Sequence, residues 1–167
     1  RAPIAAVAYV TSRDLPLKPG SILVCDAEEH TVRQGKTDPR ILGRMLKDGI
    51  RVFSMPGLHA KVFAGQSAAI VGSANLSTAS AERLIEAVAI LPGARQAAAL
   101  RRKIERLVGE ARELDPVEVK RLISIFGPSP PSPPYPPRRS TLWRIATWRE
   151  DWTDEEVEAG KRGEPHA

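Results

Sequence analysis

The sequence predicts a mixed α/β domain, a central β-sheet flanked by helices. Three observations carry this: two β-rich runs apolar on both faces, a capped amphipathic segment ahead of a third run, and two short extended runs joined by a small polar turn. Ile4 to Thr11 is the first apolar run, and Ser21 to Ala27 repeats its character after the Pro16-Leu17-Lys18-Pro19-Gly20 turn. Both read as central strands. The single cysteine, Cys25, sits inside the second run and reads as a small buried hydrophobe rather than a nucleophile, and one cysteine excludes an internal disulfide. Thr37-Asp38-Pro39 supplies a capping residue followed by proline at a first helical position. Ile41, Leu42, Met45 and Leu46 then form an apolar stripe and Gly49 closes it, so a helix is expected over 39–48. Ile50 to Met55 reads as the third strand.

Residues 58–64 and 68–74 are two further extended runs, joined by Gly65-Gln66-Ser67 as a three-residue hairpin loop. A short helix is expected over Thr78–Leu84, a strand over Ile85–Leu91, and a longer helix over 94–114 after the Pro92-Gly93 break. Leu100, Ile104, Leu107, Val108, Ala111 and Leu114 keep one face of that helix apolar while arginine and lysine crowd the rest. This is the pattern of a packed helix with a solvated face rather than a DNA-reading helix. A last core helix runs from Val117 to Phe126.

Seven of the fifteen prolines fall between 128 and 137, a composition that is stiff and extended. The chain therefore divides into a domain over 1–126, a Pro-rich linker over 127–140 and an extension over 141–167. Trp143, Trp148 and Trp152 in the extension imply burial against this domain, a second subunit or a further partner, with base stacking as the alternative. Thr153-Asp154-Glu155-Glu156 has a capping-box pattern that opens a final helix.

Lys and Arg number 25 against 20 Asp and Glu, for a net charge of +5, which favours encounter with polyanions. No apolar run approaches the roughly 20 residues needed to cross a bilayer, and the first residues lack the order of a signal peptide, so no membrane association and a cytoplasmic location are expected. The opening at Arg1, without methionine, reads as that of a trimmed chain or a piece of a larger polypeptide.

The chemistry concentrates in Leu58-His59-Ala60-Lys61-Val62-Phe63 and Ile70-Val71-Gly72-Ser73-Ala74-Asn75-Leu76. Residues two apart on a strand share a face, so His59 points with Lys61 and Ser73 with Asn75. A three-residue loop pairs His59 with Ser73 and Lys61 with Val71, aiming all four polar side chains to one side. A loop one residue shorter sends Ser73 and Asn75 to the other face. Phosphodiester cleavage needs a nucleophile, positive charge and donors for the non-bridging oxygens, and a proton for the departing oxygen. His59 supplies a neutral ring nitrogen, Lys61 an ammonium, Asn75 an amide and Ser73 a hydroxyl, while Gly72 permits close backbone approach. One histidine cannot attack and also protonate the leaving group from the far side. His30 and His166 are the other histidines, neither followed two residues later by lysine, so a second His59 from a homodimer is the economical answer.

His59-x-Lys61 and Gly72-Ser73-x-Asn75, thirteen residues from His59 to Gly72, resemble the signature of the phospholipase D superfamily. Together with the strand order before it and the apolar Ala8-Tyr9, the likeness covers roughly residues 3–126 and is to single-motif members, half-domains that dimerise around one composite site. The resemblance implies that one His59 forms a covalent phosphohistidine while its symmetry mate acts as general acid and then as base for water. It implies that Lys61 and Asn75 of both copies hold the phosphate, that Ser73 hydrogen-bonds within the site, and that neither metal nor cofactor is needed. It also implies that Glu86, eleven residues past Asn75, orients the histidine, fixing the tautomer that leaves the other ring nitrogen free. At the place where the family usually has aspartate, five residues after the lysine, stands Gln66.

Such chemistry is indifferent to what flanks the phosphate. Basic composition without a lipid-facing helix points to a nucleic-acid partner, DNA before RNA, and to an endonuclease. The alternatives are a weakly active or inactive nucleic-acid-binding module on the same fold and, behind it, a phospholipid hydrolase or phosphatidyltransferase.

Overall fold

The computed structural model describes residues 1–82, 84 and 86–127, with the backbone alone at Thr78 and Glu82. The Pro-rich stretch from Pro128, the three tryptophans and the 153–156 capping pattern lie outside these residues. In chain order the elements are β1 (Ile4–Val7), β2 (Ile22–Cys25), α1 (Glu29–Arg33), α2 (Pro39–Lys47), β3 (Arg51–Ser54), β4 (Lys61–Ala64), β5 (Ala68–Gly72), α3 (Thr78–Glu82), β6 (Val88–Pro92), α4 (Ala94–Glu110), β7 (Arg112–Glu113) and α5 (Pro116–Ile125). The strands form one mixed sheet in the order β6-β5-β4-β1-β2-β3-β7. β1, β2 and β3 run parallel, and the remaining pairings are antiparallel.

The apolar runs become the centre because both of their faces are covered. On one face Ala5, Leu23, Cys25 and Val52 pack with Leu42 and Met45 of α2 and Val119 and Leu122 of α5. On the other, Ile4, Ala6, Val24 and Phe53 pack with Ile104 of α4. Cys25 is fully buried, and that burial raises its thiol far above the ordinary range, in keeping with an inert core residue. The cap ahead of α2 acts where the sequence places it, the Asp38 carboxylate accepting from the Arg40 backbone N–H at 2.9 Å, and α5 has a further cap in Asp115, which accepts from the Glu118 backbone N–H at 2.7 Å.

Two elements were not anticipated. The helix over 94–114 stops at Glu110, and Arg112–Glu113 instead joins the sheet beside β3, where Glu113 accepts from Arg51 at 2.8 Å. The single turn α1 follows β2 at Glu29, where periodicity has too few residues to register.

Glu118 ties this end of the fold together. Its carboxylate is lowered from the ordinary 4.5 to about 2, chiefly by the Arg121 hydrogen bond, with a further bond from Arg112, against an opposing effect of burial. A depressed carboxylate contributes stability above its unfolded pKa and loses it as pH falls through the folded one. Glu118→Gln is therefore expected to remove a component of stability present at neutral pH, and to flatten the fall in melting temperature between pH 4.5 and 2 relative to the parent. Thermal melts across that window check it.

Candidate active site

His59 and Lys61 lie at the carboxyl end of β1, Asn75 lines a cavity with Lys61, and Ser73 meets Glu86 where β5 ends and the chain approaches β6. Lys61 opens β4 opposite Val7, the last residue of β1. His59 precedes β4 by two residues and is exposed. Pro56 and Gly57 turn the chain there, with Leu58 N–H donating to the Met55 carbonyl at 3.3 Å and Gly57 at a φ of +70°, as proline followed by glycine favours in a tight turn. Asp26 at the end of β2, only 3% exposed, fixes this turn: its two carboxylate oxygens accept from Gly57 N–H at 3.2 Å and Glu28 N–H at 3.1 Å. The His59 ring stands edge-on to Tyr9, centroids 6.5 Å apart and planes at 75°, and the Lys36 ammonium lies 5.4 Å from the centre of the Tyr9 ring. Asp26, Tyr9 and Lys36 were not singled out by sequence as site residues. A carboxylate closing an apolar central strand was the one available signal for Asp26.

Lys61 is half-buried. Burial lowers its pKa below the ordinary lysine value while the negative charge of Glu86 acts in the opposite sense. Its ammonium donates to the His59 carbonyl at 3.0 Å. Lys61 and Asn75 line one cavity of about 210 Å³, walled by Phe63, Ile70 and Leu76. The Asn75 backbone N–H donates to Ser80 Oγ at 3.1 Å, whereas its buried side-chain oxygen has no hydrogen-bond partner among the described residues. Ser73 donates through its hydroxyl to the Glu86 carboxylate and accepts from Ala87 N–H at 3.0 Å.

The hairpin register differs from expectation. Val62 pairs with Val71, Phe63 with Ile70 and Ala64 with Ala69, and Gly65 N–H donates to the Ala68 carbonyl at 2.9 Å, so the loop proper is Gln66-Ser67. Strict alternation would now carry Ser73 and Asn75 away from Lys61. It does not apply, because β5 ends at Gly72, the chain bends at Ser73, and Leu76 bridges to Val10 in parallel. The bend returns Asn75 to the cavity that Lys61 lines. Gln66 lies exposed on the turn and donates to the Arg1 carbonyl at 3.0 Å, a structural contact away from the cavity.

Glu86 does not meet the histidine as expected. The 73–87 backbone pair, Ser73 N–H to the Ala87 carbonyl at 3.0 Å, holds the approach to β6 against Ser73, so within the chain the carboxylate engages the serine, while the ring contact of His59 is Tyr9. His30 belongs to α1, its ring nitrogen 3.1 Å from the Thr31 hydroxyl, and His166 lies outside the described residues. Among the described residues no three His, Cys, Asp or Glu side chains gather as a metal site.

No protein-family model matches the sequence, and no curated protein matches it. Solved structures do. The chain superposes on a phospholipase D family member, Nuc from Salmonella typhimurium, with a TM-score of 0.54 over 67% of this chain and 80% of that one at 16% identity. The chain has the phospholipase D fold. NucT from Helicobacter pylori is similar as well, with a TM-score of 0.52 over 67% of this chain and 81% of that one at 17% identity. Within the described residues of this phospholipase D fold, no helix is long and apolar enough to cross a membrane.

Gly72 shows how the fold shapes its site. A Cβ there would stand 2.6 Å from the Ala87 carbonyl oxygen, 3.0 Å from Val88 Cγ2 and 3.2 Å from Val88 Cα. The room left by the missing side chain is thus occupied by the approach to β6, which brings Glu86 to Ser73. Gly72→Ala is expected to cost about 1–3 kcal/mol by overpacking against backbone, and to displace Ser73 from Glu86. Denaturant unfolding measures the first effect; retention of full stability would contradict the close approach.

Proposed function

We propose that this chain is a phosphodiesterase, most of all a nuclease cleaving DNA through a covalent phosphohistidine in a site completed by a second copy. The observation that carries the reading is the convergence of Lys61 and Asn75 on one cavity at the carboxyl end of β1, with His59 two residues from Lys61, in the phospholipase D fold. In this reading residues 1–126 are the catalytic domain, 127–140 a Pro-rich linker and 141–167 an extension.

A ring nitrogen of His59 attacks phosphorus in line with the departing oxygen, forming a P–N bond as the P–O bond breaks. The imidazolium of the second copy's His59 gives its proton to the leaving alkoxide. Water then attacks phosphorus, losing its proton to that same imidazole, and the P–N bond breaks to restore His59. Lys61 and Asn75 of both copies stabilise charge on the non-bridging oxygens. Ser73 and Glu86 support Lys61 from behind, the serine holding the carboxylate whose charge favours the ammonium form. The chemistry asks nothing of a metal, since the nucleophile, the proton and the positive charge all come from side chains.

The test is cleavage of a duplex or single-stranded DNA in EDTA, run beside a gel shift. Metal-independent cleavage is expected. A second reading, a nucleic-acid-binding module without catalysis, draws support from the Glu86 carboxylate being engaged by Ser73 rather than by His59. That reading predicts salt-sensitive binding with no product. Release of headgroup from phospholipid vesicles would favour the lipid alternative over both.

A further inference from the structure

Away from the candidate active site, α2 packs on α5 and leaves a groove of about 410 Å³ along the seam. Its floor is apolar, made by Leu46, Val119 and Ile123, the last 42% exposed. Its rim is basic: Arg40, Arg44 and Lys47 from α2 and Lys120 from α5. Arg40 is held by Asp38 at 2.7 Å. Arg44, Lys47 and Lys120 make no ion pair among the described residues. The carboxylates close to them in sequence are committed elsewhere, Asp48 to Arg13 and Glu118 to Arg112 and Arg121. This contrasts with Arg51, Arg112 and Arg121, each matched by glutamate.

Unmatched cations around an exposed apolar floor fit an occupant that brings both carboxylates and an apolar side chain. A phosphodiester backbone would answer the rim and leave the floor bare. The chain carries such an occupant. From 150 to 158 it reads Glu-Asp-Trp-Thr-Asp-Glu-Glu-Val-Glu, six acids with no base, and Trp152 and Val157 among them. The described chain ends beside the groove, because the Phe126 ring lies 4.7 Å from the Arg40 guanidinium and Gly127 follows. The twenty-two residues between Gly127 and Glu150 can span up to about 75 Å. That is several times the roughly 14 Å length of α2, so reach does not limit the return.

We propose that the groove between α2 and α5 is the docking site for the acidic, tryptophan-bearing segment 150–158 of the same chain. Carboxylates meet Arg44, Lys47 and Lys120, and Trp152 covers Leu46, Val119 and Ile123. The interaction weakens with salt, since the rim pairs remain near water.

All three tryptophans lie beyond Gly127, so tryptophan emission reports on that region alone. The experiment uses the full chain carrying Trp143→Phe and Trp148→Phe, which leaves Trp152 as the one tryptophan, excited selectively at the red edge where tyrosine does not absorb. Emission at short wavelength with weak acrylamide quenching is expected at low salt. Arg44→Glu with Lys120→Glu should shift emission to longer wavelength and raise quenching, and Glu155→Lys with Glu156→Lys should do the same. Joining both pairs should return part of the shift, which loss of folding in either pair would not. Circular dichroism checks folding, and if the groove pair fails to fold, the tail pair carries the test alone. Emission matching that of a free 150–158 peptide would overturn the proposal, and a shift that depends on protein concentration would assign the segment to another molecule and overturn it equally. If the groove pair weakens binding of a single-stranded oligonucleotide and leaves Trp152 emission unchanged, the groove is a nucleic-acid surface and the proposal fails.

Discussion

His59→Ala is expected to lower kcat/KM for DNA cleavage by more than about 10⁴-fold while leaving the fold intact. In the proposed dimer the site loses nucleophile and general acid together, and general acid–base catalysis alone contributes about 10²–10⁴. In free-energy terms this is at least about 5 kcal/mol of transition-state stabilisation. The side chain is exposed and takes no hydrogen bond among the described residues, so thermal melting should move little on its removal. Initial rates on labelled DNA in EDTA, together with a melting curve, separate chemistry from folding. A variant retaining a tenth or more of the parent activity would show that another group attacks phosphorus.

The second large effect belongs to Lys61. Methionine keeps most of the stem and removes the charge, and losing one preorganised donor to a developing anion costs about 10²–10³ in kcat. A composite site loses two such ammonium groups, so Lys61→Met is expected to fall by at least that factor, mostly in kcat. Stability should hold or rise slightly, because Lys61 is half-buried and its burial disfavours the charged form. Lys61→Arg should not restore the rate, since a planar fork cannot stand where a compact ammonium reaches the His59 carbonyl at 3.0 Å. Steady-state kinetics on the two variants decides this: a rise in KM with unchanged kcat would assign Lys61 to ground-state binding instead.

Much of this arrangement was legible before the structure. The strands β1 to β3 announce themselves because both faces are covered, so their runs are apolar throughout and need no partner to be recognised. The cap at Asp38 and the proline after it act locally, and local chemistry is what a sequence displays most directly. What stayed hidden depends on distant partners. β7 is formed by the pairing of Arg112 and Glu113 with Ser54 and Phe53, far back in the chain, and two residues carry no period. The hairpin register turns on whether Gly65 or its neighbour closes the loop, and both loop lengths suit Gly-Gln-Ser. Asn75 reaches the cavity that Lys61 lines despite the shorter loop because the chain bends at Ser73 and Leu76 bridges to Val10. The engagement of Glu86 by Ser73 likewise rests on a close strand approach that residue spacing does not display.

The central claim is that two imidazoles, one from each copy, share a single phosphorus. Rapid mixing with DNA labelled at one phosphate, followed by quenching in alkaline denaturant to preserve a P–N bond, measures the covalent label per chain. The account predicts label on His59 alone, saturating at one for every two chains because each pair holds one site. Label on every chain, or on none while product forms, would contradict it.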